Sequence, residues 1–572
     1  MTTPDTLTPA EASRPVDTLA HAQVWGQITR HIDGLAVGST VRALHARGAL
    51  PELTGGRPVE VAALADRLDA NPGYLHVALR LLADQGWLTP APDGTSYTAT
   101  ALGARFLTDL APYYTLTEPL AALATRLPAL LAGVRDREGE SELVRVRDLM
   151  RSEWGIPRDV RPIRARVTAL AHLDGHLAAP LVTELLRGGG LLPGGGGPSV
   201  ALGGGGSSVA LGAGGGGPSL ALGVDGDEGR MSLSLRARGG EGAPVQRAVL
   251  DVLAHLGWVV VGSGGARLTP HGTVAASYAR QYWHPVSYLP TFAAVPRLLF
   301  GSLETPHDED AHLDRDLDIT FSGEVYSATC QDAFLDLVLP LLSTGSPPAA
   351  VVDSGCGDGT LLHSLATALP PRTPTPLLVG AEPSPVARRA TAARLAATGV
   401  PHLVVDADIT DPGTVASALT AHGVDPADAL HVSKSVVHDR DYRPPEHPAD
   451  AGPPPSARFY ATPDGRAVPP HDLARNLVDH FRRWEPLTRR HGMVVIEAHA
   501  ADPATAARLV GRTLATSFDA THGYSRQLPV EPHVFAWAAR TAGLVSVAHR
   551  DLGDQAIGHT MLTIDHFVGQ GR

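Results

Sequence analysis

The stretch Val351-Val352-Asp353-Ser354-Gly355-Cys356-Gly357-Asp358-Gly359-Thr360-Leu361 decides the fold. A β-branched run enters glycine at every second position and leaves as a helix start, which predicts strand, tight turn and helix. Glycine at Gly355, Gly357 and Gly359 lets the backbone turn sharply and approach a ligand closely. A glycine-rich loop alone also suits a dinucleotide. Asp353, two residues before the first glycine, points instead to a cofactor that carries an amino acid.

Working outward, short β-branched runs alternate with Ala/Leu-rich helical stretches. Ala349–Asp353, Leu377–Glu382, Val404–Asp408, Ala429–Ser433 and Met493–Ala498 are the expected strands, and Val545–Asp565 reads as a terminal strand pair. This pattern predicts an α/β fold with a doubly wound, Rossmann-like sheet over residues 346–572. Glu382 ends the second strand, where an acidic side chain can take both hydroxyls of a ribose. Asp408 ends the third, placed to accept from an adenine amino group, with Ile409 beside it. Together these motifs resemble the first three motifs of the class I S-adenosylmethionine-dependent methyltransferases. That resemblance implies a cofactor site at Asp353, Gly355, Gly357, Gly359, Glu382, Asp408 and Ile409. Ala407 stands where that family often has glycine.

The N-terminal half reads differently. HVALRLLADQGWLTPAPDGTSYTATALGARF (76–106) and RAVLDVLAHLGWVVVGSGGARLTPHGTVAAS (247–277) share one pattern. Each has an apolar helix, Gly-Trp, two short strands and a T-x-x-G element, as in a winged helix. Asn71 is placed to cap the helix that Pro72 begins. The expected organisation is an unstructured start at 1–17 and a mainly helical, winged-helix-like region at 18–187. A Gly-rich insertion follows at 188–241, then a second winged-helix-like segment with lid helices at 242–345. The insertion holds GGGGPSVAL (194–202), GGGGSSVAL (203–211) and GGGGPSLAL (214–222), and reads as a flexible tether.

Composition bounds the function. The chain of 572 residues has 47 Lys+Arg against 59 Asp+Glu, a net charge of −12, which argues against nucleic-acid binding by the winged-helix modules. The expected role for them is a lid or a homodimer contact; a transcription regulator retaining this fold would instead bind DNA in a salt-dependent way. Residues 1–17 lack the basic and apolar runs of a signal peptide, and no apolar stretch has the length of a membrane span. Two cysteines, Cys330 and Cys356, cannot build a disulfide framework, and a cytoplasmic location is expected.

Three segments should converge beyond the carboxyl ends of the strands: His431–Tyr442, Val495–His499 and Phe518–Glu531. Two chemistries fit them. His438 can be a general base that deprotonates a hydroxyl, giving a metal-free O-methyltransferase. Alternatively His438, Asp439, His499 and Gln527 supply nitrogen and oxygen ligands to Fe or Mn. Such a divalent ion would hold carbonyl oxygens and stabilise an enolate. His522 reads as a helix cap or a ligand, and Glu531 as a direct or supporting ligand.

These residues resemble the iron- or manganese-dependent C-methyltransferases of polyketide initiation, of the apratoxin and saxitoxin type. The likeness lies in the HV-x-x-x-x-x-HDR element, Glu497-x-His499 and His522-Gly523-x-Ser525-x-Gln527-x-x-Val530-Glu531. Tyr282-Trp283 and Leu298–Gly301 extend it into the lid. The resemblance implies methylation of a carbon next to a carbonyl, on a small-molecule or acyl-carrier-protein-bound acceptor, in secondary metabolism. Relatives often have arginine near Ser433–Lys434; here stands the only lysine of the chain. Lys434 is expected either to meet an acidic acceptor group or to face solvent. The long Pro-rich segment 443–470 is expected to gate the substrate.

Overall fold

The computed structural model describes residues 18–187, 220–224, 231–235, 243–262, 265–303, 312–343, 345–369, 375–446, 452–552 and 559–570. The expected unstructured start and the first two glycine repeats lie outside these residues. Among the described residues, no helix is long and apolar enough to cross a membrane.

The N-terminal half is mainly helical. Helix α1 (Thr18–Ala46) runs along the long helix α3 (Ile163–Arg187), and α2 (Pro72–Asp84) leads into the strands Leu88–Pro90 and Ser96–Ala99. Asn71 does not cap α2; its amide donates to the carbonyls of Leu298 and Gly301, at the end of helix α4 (Leu289–Phe300). The same local device occurs twice. Thr100 accepts from Gly103 N and Thr269 from Gly272 N, at 3.0 and 2.9 Å. A Cβ on either glycine would lie 1.9 Å from the carbonyl oxygen of Trp87 or Trp258, so the T-x-x-G element admits nothing larger.

The Gly-rich insertion is not a tether throughout. Leu220–Val224 and Met231–Leu235 form an antiparallel hairpin, and the second of these strands pairs with Gly265–Leu268. An edge strand presents unpaired N–H and C=O groups, which the alternating segment MSLSL (231–235) meets at Gly265–Leu268.

The C-terminal half is built on a seven-stranded sheet. Its strands are β1 (Ala350–Ser354), β2 (Leu377–Ala381), β3 (His402–Val405), β4 (Ala429–Lys434), β5 (Met493–Ala498), β6 (Leu544–Asp551) and β7 (Leu562–Gly569), in the order β3-β2-β1-β4-β5-β7-β6. The first five are parallel, and β7 is antiparallel to both neighbours. Strands β1, β4 and β5 are almost wholly buried, as expected of a sheet covered on both faces. The strand order reverses between β1 and β4, so a crevice opens beyond the carboxyl ends of these two strands. Helix α5 (Arg315–Val325) lies over that crevice.

Residues 452–469 do not form an open flap. They wedge between the two halves of the molecule, with Arg458 at their centre. Arg458 Nη1 reaches Asp519 Oδ1 at 2.9 Å, and Arg80 of α2 binds the same carboxylate at 2.7 and 2.8 Å; all three side chains are 1% exposed. Arg80 also donates to Phe459 O, Arg458 to Ala501 O, and Ser456 Oγ to Glu531. The two guanidinium groups hold the Asp519 carboxyl below the usual carboxylate range, while burial and Asp519 push the Asp84 carboxyl well above it.

Breaking a buried pair leaves a charge uncompensated, at a cost of about 3–5 kcal/mol. Arg458→Met is expected to lower stability by about that amount in denaturant titration, whereas a gating loop would tolerate the change. The α1–α3 pair should also be acid-sensitive. Burial holds His31, His172 and His176 neutral, with pKa values of about 4, 3 and 4. The unfolded chain takes up protons at these positions near pH 6.5, so their stabilisation is complete above that pH and is lost as pH falls toward 4. Asp33, raised to about 7 by burial, acts oppositely, its contribution fading as pH rises from about 4 to 7. With three groups against one, the melting temperature should fall between pH 7 and 5.

Candidate active site

The crevice over β1 and β4 is built for a cofactor. Gly355, Gly357 and Gly359 take left-handed φ values of 74°, 54° and 78°. A Cβ on Gly355 would lie 2.4 Å from Val436, so this turn needs glycine for space as well as for backbone freedom. Asp353 is 2% exposed, and its Oδ1 has no hydrogen-bond partner. Burial, with Glu382 and Asp358 nearby, pushes its carboxyl well above the usual range. An orphaned buried carboxylate oxygen suits an incoming ammonium group. Glu382 accepts from Gly357 N at 3.1 Å and from Ser384 N at 2.9 Å, which ties the end of β2 to the glycine loop. Asp408 lies three residues past β3, where its Oδ1 accepts from Thr410 N and Oγ1. Ile409 is buried, its carbonyl held by Trp484 Nε1 at 3.0 Å.

Helix α5 covers this crevice. Ile319 faces Gly357, and Gly323 lies against Asp358 and Thr360. Lys434, at the end of β4, is turned inward and donates from Nζ to Ser322 O and Oγ at 3.0 and 2.8 Å. Burial lowers its pKa, and Cys330, Asp318, Glu497 and Asp353 partly offset that shift. The lysine therefore fastens the covering helix to the sheet.

Beside the crevice, a turn at Val437–Asp439 presents His438, which is 5% exposed. Its Nδ1 pairs with Glu497 Oε1, and Glu497 is fixed in turn by Val437 N on Oε2 and Ala498 N on Oε1, both at 3.1 Å. Because a carboxylate only accepts, Nδ1 carries the hydrogen and Nε2 is left basic. His522, on helix α6 (Ala515–Tyr524), packs edge-on at 4.7 Å between ring centroids. Its Nδ1 binds Phe518 O at 2.6 Å; burial, with His438 and His284 nearby, pushes its pKa well below the usual value. From the N-terminal half come His284, 5.9 Å from His522, and Tyr288, whose hydroxyl accepts from Gln527 Nε2 at 3.3 Å.

Of the four expected metal ligands, His438 and Gln527 stand at one corner, where Leu528 N donates to His438 O at 2.6 Å, while His499 turns to Thr563. His438 is committed at Nδ1 to Glu497, and Asp439 is exposed while His438 is buried. His499 stands behind the His438–Glu497 pair, with Nε2 on Thr563 at 2.9 Å and its ring edge-on to Phe535. Gln527 meets Tyr288. Among the described residues, no three His, Cys, Asp or Glu side chains gather in a manner that could hold an ion. An Fe or Mn site at these residues is therefore not shown. Glu531 is occupied with Ser456 and Arg458. The sequence contains Glu497 in plain view at the end of β5, but its role follows only from β4 and β5 being neighbours. His284 and Tyr288 carry no local signal, since His522 and Gln527, which they meet at this corner, lie more than 200 residues away.

Residues 310–553 match the model of the AprA MT2-like domain, and residues 25–90 that of the AprA N-terminal domain. The chain is an S-adenosylmethionine-dependent methyltransferase, similar to AprA over these two regions. No curated protein matches this chain. Solved structures similar to it include an O-methyltransferase of neocarzinostatin biosynthesis (NcsB1) bound to S-adenosylmethionine and 2-hydroxy-5-methyl naphthoic acid. It is 17% identical over 58% of this chain and 86% of that one, with a TM-score of 0.37. A second is an O-methyltransferase family 2 protein from Planctomyces limnophilus in complex with apigenin, 10% identical over 95% of each chain, TM-score 0.40. A third is the CurJ carbon methyltransferase, 11% identical over 57% of this chain and 80% of that one, TM-score 0.32.

In this methyltransferase, Gly355→Ala should abolish measurable binding of S-adenosylhomocysteine in calorimetry. A left-handed residue with a Cβ costs about 1–3 kcal/mol before the collision with Val436 is counted.

Proposed function

We propose that the protein methylates a carbon next to a carbonyl, with His438 as general base and without a metal. The acceptor is a small molecule or a group on a separate acyl carrier protein, in secondary metabolism. The observation that carries this reading is the buried His438–Glu497 pair beside the glycine loop. Asp353, the glycine turn and Glu382 hold the donor, and Asp408 meets its base. The bound sulfonium supplies an electrophilic methyl group, whose bonding pair stays on sulfur at transfer. His438 Nε2 takes the proton from the acceptor carbon, and the Glu497 carboxylate stabilises the imidazolium that results. Burial keeps water from this exchange. Lys434 serves by fixing α5 over the crevice rather than by meeting an acidic acceptor group.

A hydroxyl acceptor is the second reading, favoured by the same pair, because a positioned imidazole is sufficient to deprotonate a hydroxyl. His438→Gln should lower kcat by about 10²–10⁴ while leaving S-adenosylhomocysteine affinity within about threefold. Full turnover in this variant would sink both readings. The position of the methyl carbon in the product, read by NMR, separates carbon from oxygen transfer. Activity unchanged by a chelator, in protein free of bound metal, is the third expected result.

A further inference from the structure

Five side chains form a continuous belt around the reacting corner. His438 meets His522, His522 meets His284, His284 packs edge-on to Tyr288 at 5.1 Å, and Tyr288 closes on Gln527. The belt draws on both halves of the chain: His284 and Tyr288 precede α4, whereas the other three belong to the sheet half. Gln527 is held by its backbone beside the base, since its N–H donates to His522 O at 2.9 Å and the next residue, Leu528, donates to His438 O at 2.6 Å. Tyr288 is 3% exposed. Its oxygen accepts from Gln527, so the phenolic hydrogen is available to a second acceptor, as is the other amide hydrogen of Gln527.

We propose that Tyr288 and Gln527 are the donors that hold the carbonyl oxygen of the acceptor as it becomes an enolate oxygen. This rests on the reading of His438 as the base of a carbon acid. The proton on the α-carbon goes to His438 Nε2, and the C–H pair moves toward the carbonyl oxygen. That oxygen gains charge under the two donors, and the pair then returns to form the new C–CH3 bond. Preorganised donors at the site of developing charge commonly supply the largest catalytic contribution. The surroundings also set the substrate class. Burial, with the Asp318 and Asp439 charges adding and Arg315 opposing, keeps the Tyr288 phenol protonated. Two neutral donors in a buried setting favour a neutral carbonyl, such as a ketone or thioester, over a carboxylate at this position.

The test uses the full chain with acetoacetyl-N-acetylcysteamine as the acceptor probe. Two rates are measured: methyl transfer, and exchange of the α-proton in deuterated water with S-adenosylhomocysteine in place of the donor. Tyr288→Phe should lower kcat and the exchange rate together by about 10²-fold, with KM within about threefold and an unchanged melting temperature. Gln527→Ala should do likewise, and His438→Gln should reduce exchange to the rate of the probe without protein. If Tyr288→Phe and Gln527→Ala retain both rates while His438→Gln loses them, the donor assignment is overturned and the base stands. If the wild-type protein neither exchanges nor methylates the probe, the carbon-acid reading itself is overturned.

Discussion

The geometry of the reacting corner depends on one buried carboxylate. Asp519 accepts from Arg80 on one side and Arg458 on the other, and all three are shut away from water. Arg80 belongs to α2 and Arg458 to the Pro-rich segment; Asp519 sits on the helix that presents His522. A charge in this position is tolerable only when its partners are in place. The triad thus ties the N-terminal half, the connecting segment and the wall of the acceptor site to one another. His284 and Tyr288 reach His522 and Gln527 only because the halves are held in this register.

The sheet was legible in the sequence because its signals are local. Each β-branched run is contiguous, the glycine loop follows directly on β1, and Glu382 falls just past a strand end. The boundaries of the parallel strands moved by one residue at most except at β3, which starts two and ends three residues earlier, so that Asp408 lies beyond the strand in a turn. The repeated T-x-x-G element was equally local, since its threonine, glycine and tryptophan stand within about sixteen residues of one another.

What escaped the sequence was direction and long-range partnership. His438 and Asp439 are adjacent, yet one side chain is buried on Glu497 and the other is exposed. Adjacency in the chain therefore did not foretell which way the two side chains point. His499 follows the buried strand β5 but turns toward Thr563 on β7. The Pro-rich segment reads as a loop because its prolines are visible, whereas the partner of Arg458 lies 61 residues on. The strands at 220–224 and 231–235 were hidden by glycine; they are set by the edge that receives them.

Helix α5 touches both compartments. Ile319 and Gly323 close on the glycine loop, Ser322 is pinned by Lys434, and Asp318 lies 3.7 Å from His284 at the other corner. One rigid element therefore serves as a shared door. A tilt of this helix would alter the glycine-loop crevice and the His284 corner together.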